Sequence, residues 1–269
     1  MTSLTILVAG VGGRMGRAVT AEVLRTPGAT LVGGFERAES DMIGADIGVL
    51  AGIDALGLKV EASPAPGLKR AGVLIDFTAP AASLENARAA TAAGVAHVIG
   101  TTGFSAEQET ELAGFAKKIP IVKSGNMSLG VNLLAALVEA AARTLPDDYD
   151  IEIIDAHHRF KVDAPSGTAL MLGRAAASGR GVDLGERAVR ARDGAVGERR
   201  AGDIGFAVIR GGGIVGEHHV VFAGSQEVLT LSHAAIDRGL FAKGAVTAAA
   251  WVLGKPPGLY SMRDVLGLK

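Results

Sequence analysis

Residues 4–16, with the sequence LTILVAGVGGRMG, decide the fold of the first part of the chain. The apolar run 4–9 is typical of a parallel strand that helices cover on both faces. The glycine turn that follows lets the backbone approach a pyrophosphate, whose charge is favoured at the N-terminus of the helix predicted from about Arg14 to Arg25. A second predicted strand, 30–35, ends in Glu36, where dinucleotide-binding folds place the acid that holds the adenosine ribose.

The glycine motif departs from Gly-x-Gly-x-x-Gly, because Met15 stands at the position of the third glycine and Gly16 follows it. The order of strand, glycine turn, helix, strand and acid still favours a dinucleotide site over an ordinary tight turn with a surface glutamate. Arg37, next to Glu36, can accept the 2′-phosphate of NADP. The sequence therefore admits either NADH or NADPH as cofactor.

Three more strand patterns, 73–77, 96–100 and 119–122, alternate with helical patterns in the first part of the chain. Ligands of open parallel sheets lie outside the carboxyl ends of the strands. We therefore expect the loops at 10–16, 78–80, 100–103 and 124–128 to share one cleft. Plain connecting loops are the alternative, which stays open for residues 124–127.

After a predicted core helix at 129–145 the pattern changes to a strand at 149–156 and three more at 205–210, 214–222 and 227–234. We expect a mainly antiparallel second sheet, with His218, His219 and His233 in structural roles, and a mobile arginine-rich loop at 179–203. The predicted fold class is α/β: a Rossmann-type parallel-sheet dinucleotide-binding domain (1–128 and 239–269) plus an α+β substrate-binding and oligomerisation domain (129–238). The tail is expected to pack on the first domain, with a hinge at the two crossings.

Residues 155–168, with the sequence DAHHRFKVDAPSGT, form a basic loop between a strand and a helix. Ser166 is predicted to cap that helix, whose positive end then presents the amides of Gly167 and Thr168 to an anion. The loop suggests a site that binds and protonates an anion, although a solvated basic loop is the alternative. In an extended segment His157 and Lys161 would lie ~13 Å apart, so both reach one small substrate only if the loop folds back.

The composition favours a small-molecule partner. The chain of 269 residues has a formal net charge of -1 and no strong basic stripe, which argues against nucleic acid. It has no cysteine, so neither a disulfide framework nor a thiol nucleophile is available. The apolar run at the start is too short to span a membrane and lacks the flank of a signal peptide. A cytoplasmic protein is expected.

The segment His-His-Arg-Phe-Lys-Val-Asp-Ala-Pro-Ser-Gly-Thr at 157–168, with residues 10–16, 100–104 and 126–132, resembles the 4-hydroxy-tetrahydrodipicolinate reductases, formerly called dihydrodipicolinate reductases. The likeness covers essentially the whole chain. It implies NAD(P)H-dependent reduction of 4-hydroxy-tetrahydrodipicolinate, through the cyclic dianionic imine dihydrodipicolinate, to tetrahydrodipicolinate in diaminopimelate and lysine biosynthesis. It also implies a homotetramer.

The resemblance implies roles for individual residues. His157 is implied as proton donor or acceptor, Lys161 as proton donor, and His158, Gly167 and Thr168 as substrate contacts. No metal is expected, because neighbouring side chains on a strand point to opposite faces and His157 and His158 would not hold one ion together. The cofactor-binding residues that it implies are Gly10, Val11, Gly12, Gly13, Arg14, Met15, Glu36, Arg37, Gly100, Thr101, Thr102, Ser124, Gly125, Asn126 and Met127. Many relatives have Ala-Ala-Asn-Phe where this chain has Ser-Gly-Asn-Met, and Asp155 stands where glutamate is common.

Two other functions stay open at this point. One is another nicotinamide-dependent amino-acid dehydrogenase, such as an aspartate dehydrogenase, against which the sequence of the basic loop speaks. The other is a nicotinamide-sensing module without turnover, which would not need Lys161.

Overall fold

The computed structural model describes residues 3–268, which form two compact units. The first unit comprises the residues up to Ser128 together with those from Gly239 onward, and the second comprises Leu129–Arg238. No helix within residues 3–268 has both the length and the apolar character that a membrane span requires.

The strands of the described part are, in chain order, β1 (Leu4–Ala9), β2 (Ala29–Phe35), β3 (Val73–Asp76), β4 (Ala96–Ile99), β5 (Pro120–Lys123), β6 (Asp150–His157), β7 (Ala188–Val189), β8 (Ile204–Arg210), β9 (Glu217–Ala223), β10 (Val228–Ala234) and β11 (Gly258–Tyr260). The helices are α1 (Arg14–Arg25), α2 (Ile47–Leu50), α3 (Ala65–Leu68), α4 (Pro80–Ala93), α5 (Ala106–Ala116), α6 (Leu129–Thr144), α7 (Gly167–Arg180), α8 (Leu184–Arg187), α9 (Gly239–Val252) and α10 (Met262–Val265).

The sheet of the first unit is parallel throughout, in the order β11-β5-β4-β3-β1-β2. Ile6, Leu7 and Val8 are consecutive in β1 and all buried, because helices cover both faces of the sheet. The predicted parallel-sheet fold is confirmed. Its strands all end at one edge, which is where the glycine turn after β1 and the loops after β3, β4 and β5 lie.

The tail of the chain completes this sheet. After α9, the short strand β11 pairs with β5 at the edge, and Met262 of α10 is fully buried. The tail thus packs within the first unit, as predicted, although the strand itself was not predicted.

The sheet of the second unit is mixed, in the order β10-β9-β6-β8-β7. β9 runs antiparallel to β6 and to β10, whereas β8 runs parallel to β6 and to β7. The sequence predicted a mainly antiparallel sheet; β8 departs from it because the chain crosses over through α7 before it returns beside β6. α6 and α7 pack with the sheet around Ile153, Leu172, Phe206 and Phe222.

The arginine-rich segment 179–203 is more ordered than predicted. It contains α8 and β7, and two of its arginines bind acids of β6. Arg192 donates to both oxygens of Glu152 at 2.8 Å, and Arg199 donates to Glu152 at 3.0 Å and to Asp150 at 2.5 Å. Burial opposes ionisation of Glu152, but these arginines outweigh it and lower its pKa. Arg192 and Arg199 therefore hold the segment against the sheet, and the prediction of a mobile loop is wrong for this part.

Candidate active site

The glycine turn of the first unit is closed by its own backbone. Gly10 has φ 62°, and the amide of Gly13 donates to the Gly10 carbonyl at 3.0 Å. A Cβ at Gly16 would overlap that carbonyl oxygen and the Cα of Val11. Gly16 thus allows the helix to pack closely on the turn, as the third glycine does in the common motif. It lies one position later in the sequence than that glycine, because Met15 intervenes.

The acid at the end of β2 faces this turn. Glu36 Oε1 accepts a hydrogen bond of 2.9 Å from the amide of Gly12. A cavity of about 550 Å³ lies here, lined among others by Gly10, Glu36, Arg37 and Thr78. A dinucleotide needs close backbone contact for its pyrophosphate and a polar side chain for its ribose. This cavity offers glycine backbone, a carboxylate and an exposed guanidinium, so the residues present fit the cofactor.

A buried polar network ties two loops at this edge of the sheet together. Asp76, fully buried at the end of β3, accepts from the amide and hydroxyl of Thr78 at 2.9 and 2.7 Å and from Asn86 at 2.9 Å. Thr101, after β4, donates to the same carboxylate at 3.4 Å, and His97 Nε2 lies 3.4 Å from it. Burial opposes ionisation of Asp76, but His97, Asn86 and Thr78 lower its pKa to about 2.

The predicted cofactor residues after β4 and β5 lie side by side. The amide of Ser124 donates to the carbonyl of Ile99 at 3.1 Å, and a Cβ on Gly125 would be 4.0 Å from a methyl of Thr102. Ser124 Oγ donates to the carbonyl of Asn126 at 2.7 Å. The Met127 side chain is buried, 1% exposed, so a ligand at this edge would meet only its backbone. Cofactor contacts of these residues stay a prediction.

In the second unit the basic loop folds back on itself. The amide of Lys161 donates to the carbonyl of His158 at 3.1 Å, so the loop turns directly after β6 instead of continuing extended. Ser166 caps α7, as predicted, because its hydroxyl accepts from the amide of Ala169 at 3.1 Å. Gly167 and Thr168 therefore open a helix, and helix N-termini favour anions.

Sheet register brings a cluster of polar side chains to the start of this loop. Asp155 and His157 are two residues apart on β6 and share a face. His218 on β9 pairs directly with Asp155, and Arg210 on β8 pairs with His157. Asp155 Oδ1 lies 2.8 Å from His157 Nδ1 and 3.3 Å from His218 Nε2, although neither approach has hydrogen-bond geometry.

The other oxygen of Asp155 is fully engaged. Its Oδ2 accepts from the amide of Ser166 at 2.7 Å and from Arg210 at 3.1 Å. Burial opposes ionisation of Asp155, but the nearby His218 imidazole and the bonds from the Ser166 amide and Arg210 hold its pKa well below the usual range. Arg210 also donates to the carbonyl of Asp163 at 2.8 Å, which fixes the far side of the basic loop.

The environment of His157 favours the neutral imidazole. Burial is the largest cause that lowers its pKa, to about 4; Asp155 opposes the shift, while the charges of His218, Lys161 and Arg210 add to it. Lys161 is thus close enough to act on His157 electrostatically, and its ammonium pairs with Asp163 at 2.9 Å.

The remaining predicted substrate residue, His158, lies beside a further cation. Its Nε2 is 3.1 Å from the guanidinium of Arg238. Arg238 was not among the residues predicted for the site.

The cluster contains two residues that were not predicted to lie at the site. His218 was predicted to be structural, and it is buried beside Asp155 with its ring edge-on to that of His157, the centroids 5.1 Å apart. Arg210 was not selected from the sequence. A signal existed in Asp155, which follows Ile151 and Ile153 at a spacing of two along β6, since a charge on an apolar face needs a partner.

Asp155, His157 and His218 also offer three ligand atoms within 4.8 Å of one another, which is compatible with a metal ion. Arg210 is paired with the same carboxylate, and the charge of Lys161 acts on the same imidazole. Both positive charges oppose a second cation at this point. We therefore expect the cluster to exchange protons rather than to hold a metal.

Models of the N-terminal and C-terminal parts of dihydrodipicolinate reductase match residues 4–127 and 130–266. A 4-hydroxy-tetrahydrodipicolinate reductase 1 from Mesorhizobium japonicum is 55% identical over 264 residues, which cover 98% of this chain and 97% of the relative. A 4-hydroxy-tetrahydrodipicolinate reductase from Methylocella silvestris is 55% identical over 268 residues, with 100% and 98% of the two chains covered.

A solved structure of dipicolinate-bound dihydrodipicolinate reductase from Paenisporosarcina sp. TG-14 has the same fold, with a TM-score of 0.77 at 23% identity and coverage of 98% of this chain and 99% of that one. Family models that together span nearly all of the sequence, and relatives more than half identical over its length, lead to one conclusion: the chain belongs to the dihydrodipicolinate reductase family.

Proposed function

We propose that the cluster at the start of the basic loop is the proton-exchange site of this reductase, with His157 and Lys161 as its catalytic residues. The observation that carries the proposal is the junction of β6 and the loop, where a buried carboxylate, a neutral imidazole and the charge of Lys161 meet. The chain is an NAD(P)H-dependent oxidoreductase of the lysine and diaminopimelate pathway. Its substrate is a cyclic dianionic imine.

In this proposal the first unit holds the cofactor and the second unit holds the substrate and forms the subunit contacts. When bound, the reduced nicotinamide supplies a hydride to the substrate ring. The chain must then supply one proton and neutralise two carboxylates. His157 suits proton exchange because its neutral and charged forms are both accessible near working pH once an anion is bound beside it. Lys161 donates a proton and offsets the substrate's charge.

Substrate contacts are assigned to His158, Gly167 and Thr168. Backbone amides at the start of α7 favour a carboxylate, since the helix dipole is positive there. The turn at 158–161 supports this assignment, because it shortens the path between the end of β6 and the start of α7 compared with an extended loop.

The cofactor residues are assigned to the turn from Gly10 to Met15, to Glu36 and Arg37, and to the two loops after β4 and β5. We propose that NADH and NADPH are both accepted: Glu36 accepts from the ribose hydroxyls of NADH, and Arg37 offers a cation to the 2′-phosphate of NADPH. Arg37 is exposed at the cavity, which supports this role. Arg37→Ala should then raise the KM for NADPH and leave the KM for NADH unchanged. An equal effect on both would remove Arg37 from the proposal.

We also propose a homotetramer in the cytoplasm, assembled through the second unit. β10 is an edge strand whose Val228 and Leu229 side chains are 61% and 40% exposed, and such an edge is a ready surface for pairing. The lack of cysteine suits a reducing compartment. Light scattering after size-exclusion chromatography tests the assembly, and a monomer at micromolar concentration would contradict it.

The function is tested by oxidation of NADH and NADPH with substrate made in place by the preceding synthase from pyruvate and aspartate semialdehyde. Lys161→Ala should lower turnover roughly 100-fold, the range of general acid catalysis, with NADH affinity by calorimetry unchanged. Lys117→Ala, which removes an exposed lysine of the first unit, is the matched control. Cofactor binding without oxidation by the unmodified chain would leave a nicotinamide-binding module and refute the proposal.

A further inference from the structure

Asp155 is placed to act on His157 rather than on a ligand. It is fully buried, and its two oxygens have different partners. The Ser166 amide and Arg210 take Oδ2, which turns Oδ1 toward Nδ1 of His157 at 2.8 Å. The side chain therefore has a fixed orientation, set by an element on each side of it: α7 through Ser166 and β8 through Arg210.

The charge of Asp155 decides which nitrogen of His157 carries the proton. His218, the Ser166 amide and Arg210 keep the pKa of Asp155 well below its usual range, so at neutral pH the carboxylate can accept hydrogen bonds but cannot donate one. A bare Nδ1 at 2.8 Å would set one lone pair against another, whereas Nδ1–H turns a proton toward the carboxylate. A neutral imidazole here is stable with its proton on Nδ1.

The other ring nitrogen of His157, Nε2, is not covered by a side chain from the neighbouring connection. A Cβ on Gly216, in the connection from β8 to β9, would lie 3.0 Å from His157 Nε2. Because residue 216 is glycine, no side chain occupies the space next to this atom. Nε2 is thus the nitrogen that has a free lone pair and that a substrate atom can approach.

We propose that Asp155 is a positioning residue that fixes the Nδ1-protonated tautomer of His157, so that Nε2 is the atom that takes up a proton from water and gives it to the substrate. Arg210 and Ser166 support this role, because their hydrogen bonds hold the Asp155 carboxylate in its orientation. The inference rests on the proposed function for the part that concerns turnover, but the tautomer is a property of the free chain and is tested separately.

The groups that face His157 come from four parts of the second unit: Asp155 on β6, His218 on β9, Arg210 on β8 and Lys161 on the loop. His233 on β10 is the strand-pairing partner of His218. Among these groups only Asp155 offers an ionised acceptor at Nδ1. Asp155→Asn removes that charge with little change of shape, and Asp155→Glu keeps it.

The tautomer is measured by long-range proton–nitrogen correlation spectra of the nitrogen-labelled chain, in which a protonated ring nitrogen resonates far upfield of a bare one. The chain has six histidines, and His157→Gln identifies the signal to follow. We expect Nδ1 of His157 to be protonated and Nε2 bare. The reverse assignment in the unmodified chain would overturn the proposal.

The kinetic arm separates positioning from a merely structural role. Asp155→Asn should lower kcat roughly 100-fold, as loss of the group that orients a reacting imidazole does, with KM and NADH affinity changed less than about threefold. It should also populate the other tautomer. Asp155→Glu should recover kcat to within roughly tenfold, since it restores the acceptor. Asp155→Asn with an unchanged tautomer and unchanged kcat would overturn the proposal.

The two proposals fail differently. If His157→Gln keeps normal turnover, the catalytic role of His157 is wrong, yet the spectra still decide whether Asp155 sets its tautomer. If His157→Gln is inactive and Asp155→Asn is fully active with the Nδ1 proton retained, the proposed function stands and the positioning role falls.

Discussion

Substitution of Gly216 by alanine tests whether Nε2 of His157 is the working atom. The new Cβ would lie 3.0 Å from Nε2 and 3.4 Å from Cδ2 of the ring. Ordinary contacts between such atoms are about 3.5 Å, so the ring must move by roughly half an ångström or the methyl must block the approach to Nε2.

A displacement of this size has a calculable cost to catalysis. Misplacement of a reacting group by about 1 Å lowers rates roughly 100-fold, and general acid–base catalysis as a whole contributes about 100- to 10,000-fold. We therefore expect Gly216→Ala to lower kcat roughly 10- to 100-fold. NADH affinity, measured by calorimetry, should stay unchanged because the proposed cofactor residues lie in the first unit.

Gly213→Ala is the matched control. It lies in the same connection between β8 and β9, and its Cβ would meet nothing within 4 Å. Both substitutions reduce the freedom of the unfolded chain by about 0.4–1 kcal/mol, so their effects on stability from this source are alike. Gly213→Ala should keep kcat within about twofold of the unmodified chain, since it changes no contact of the ring. Normal kcat in Gly216→Ala, or an equal loss in both variants, would refute the role of Nε2.

Two further predictions concern the first unit. Gly16→Ala should lower the free energy of unfolding, measured by urea titration, by about 2 kcal/mol and weaken NADH binding, because its Cβ overlaps the backbone of Gly10. Gly114→Ala, in the last turn of α5 with open space around it, should raise the free energy of unfolding by up to about 1 kcal/mol in the same titration. A Gly16→Ala chain of unchanged stability would show that the turn can relax. The pKa of Asp76 falls from 3.8 to about 2 on folding, so ionised Asp76 contributes about 2 kcal/mol that is complete above pH 4 and is lost as the pH falls through 2. The stability difference between the unmodified chain and Asp76→Asn should shrink by about 1 kcal/mol from pH 5 to pH 3, and a constant difference would contradict the ionised state.

The basic loop shows which structural features can be predicted from local sequence. Ser166 was predicted to cap α7, and it does, because the capping bond joins atoms only three residues apart. The family resemblance, which the comparisons confirm, rests on the same contiguous segment. In contrast, the distance between His157 and Lys161 depends on the turn at 158–161, and the order of residues along the loop does not specify its backbone hydrogen bond.

His218 and Arg210 could not be assigned from the sequence for a related reason. Each lies on its own strand, more than 50 residues from the basic loop's start, and meets Asp155 only through strand pairing. The same holds for the parallel course of β8, which depends on the crossover through α7, whereas the sequence predicted only that the sheet is mainly antiparallel.

The sequence by itself determined the parallel sheet, the glycine turn, the acid after β2 and the capped start of α7, because each depends on a short stretch whose periodicity, glycine positions or caps act locally. Only the tertiary structure decided which oxygen of Asp155 faces His157, which imidazole joins it, and which loops Asp76 ties together. These are contacts between distant strands, and side-chain pairing across a sheet follows register, which no single strand encodes.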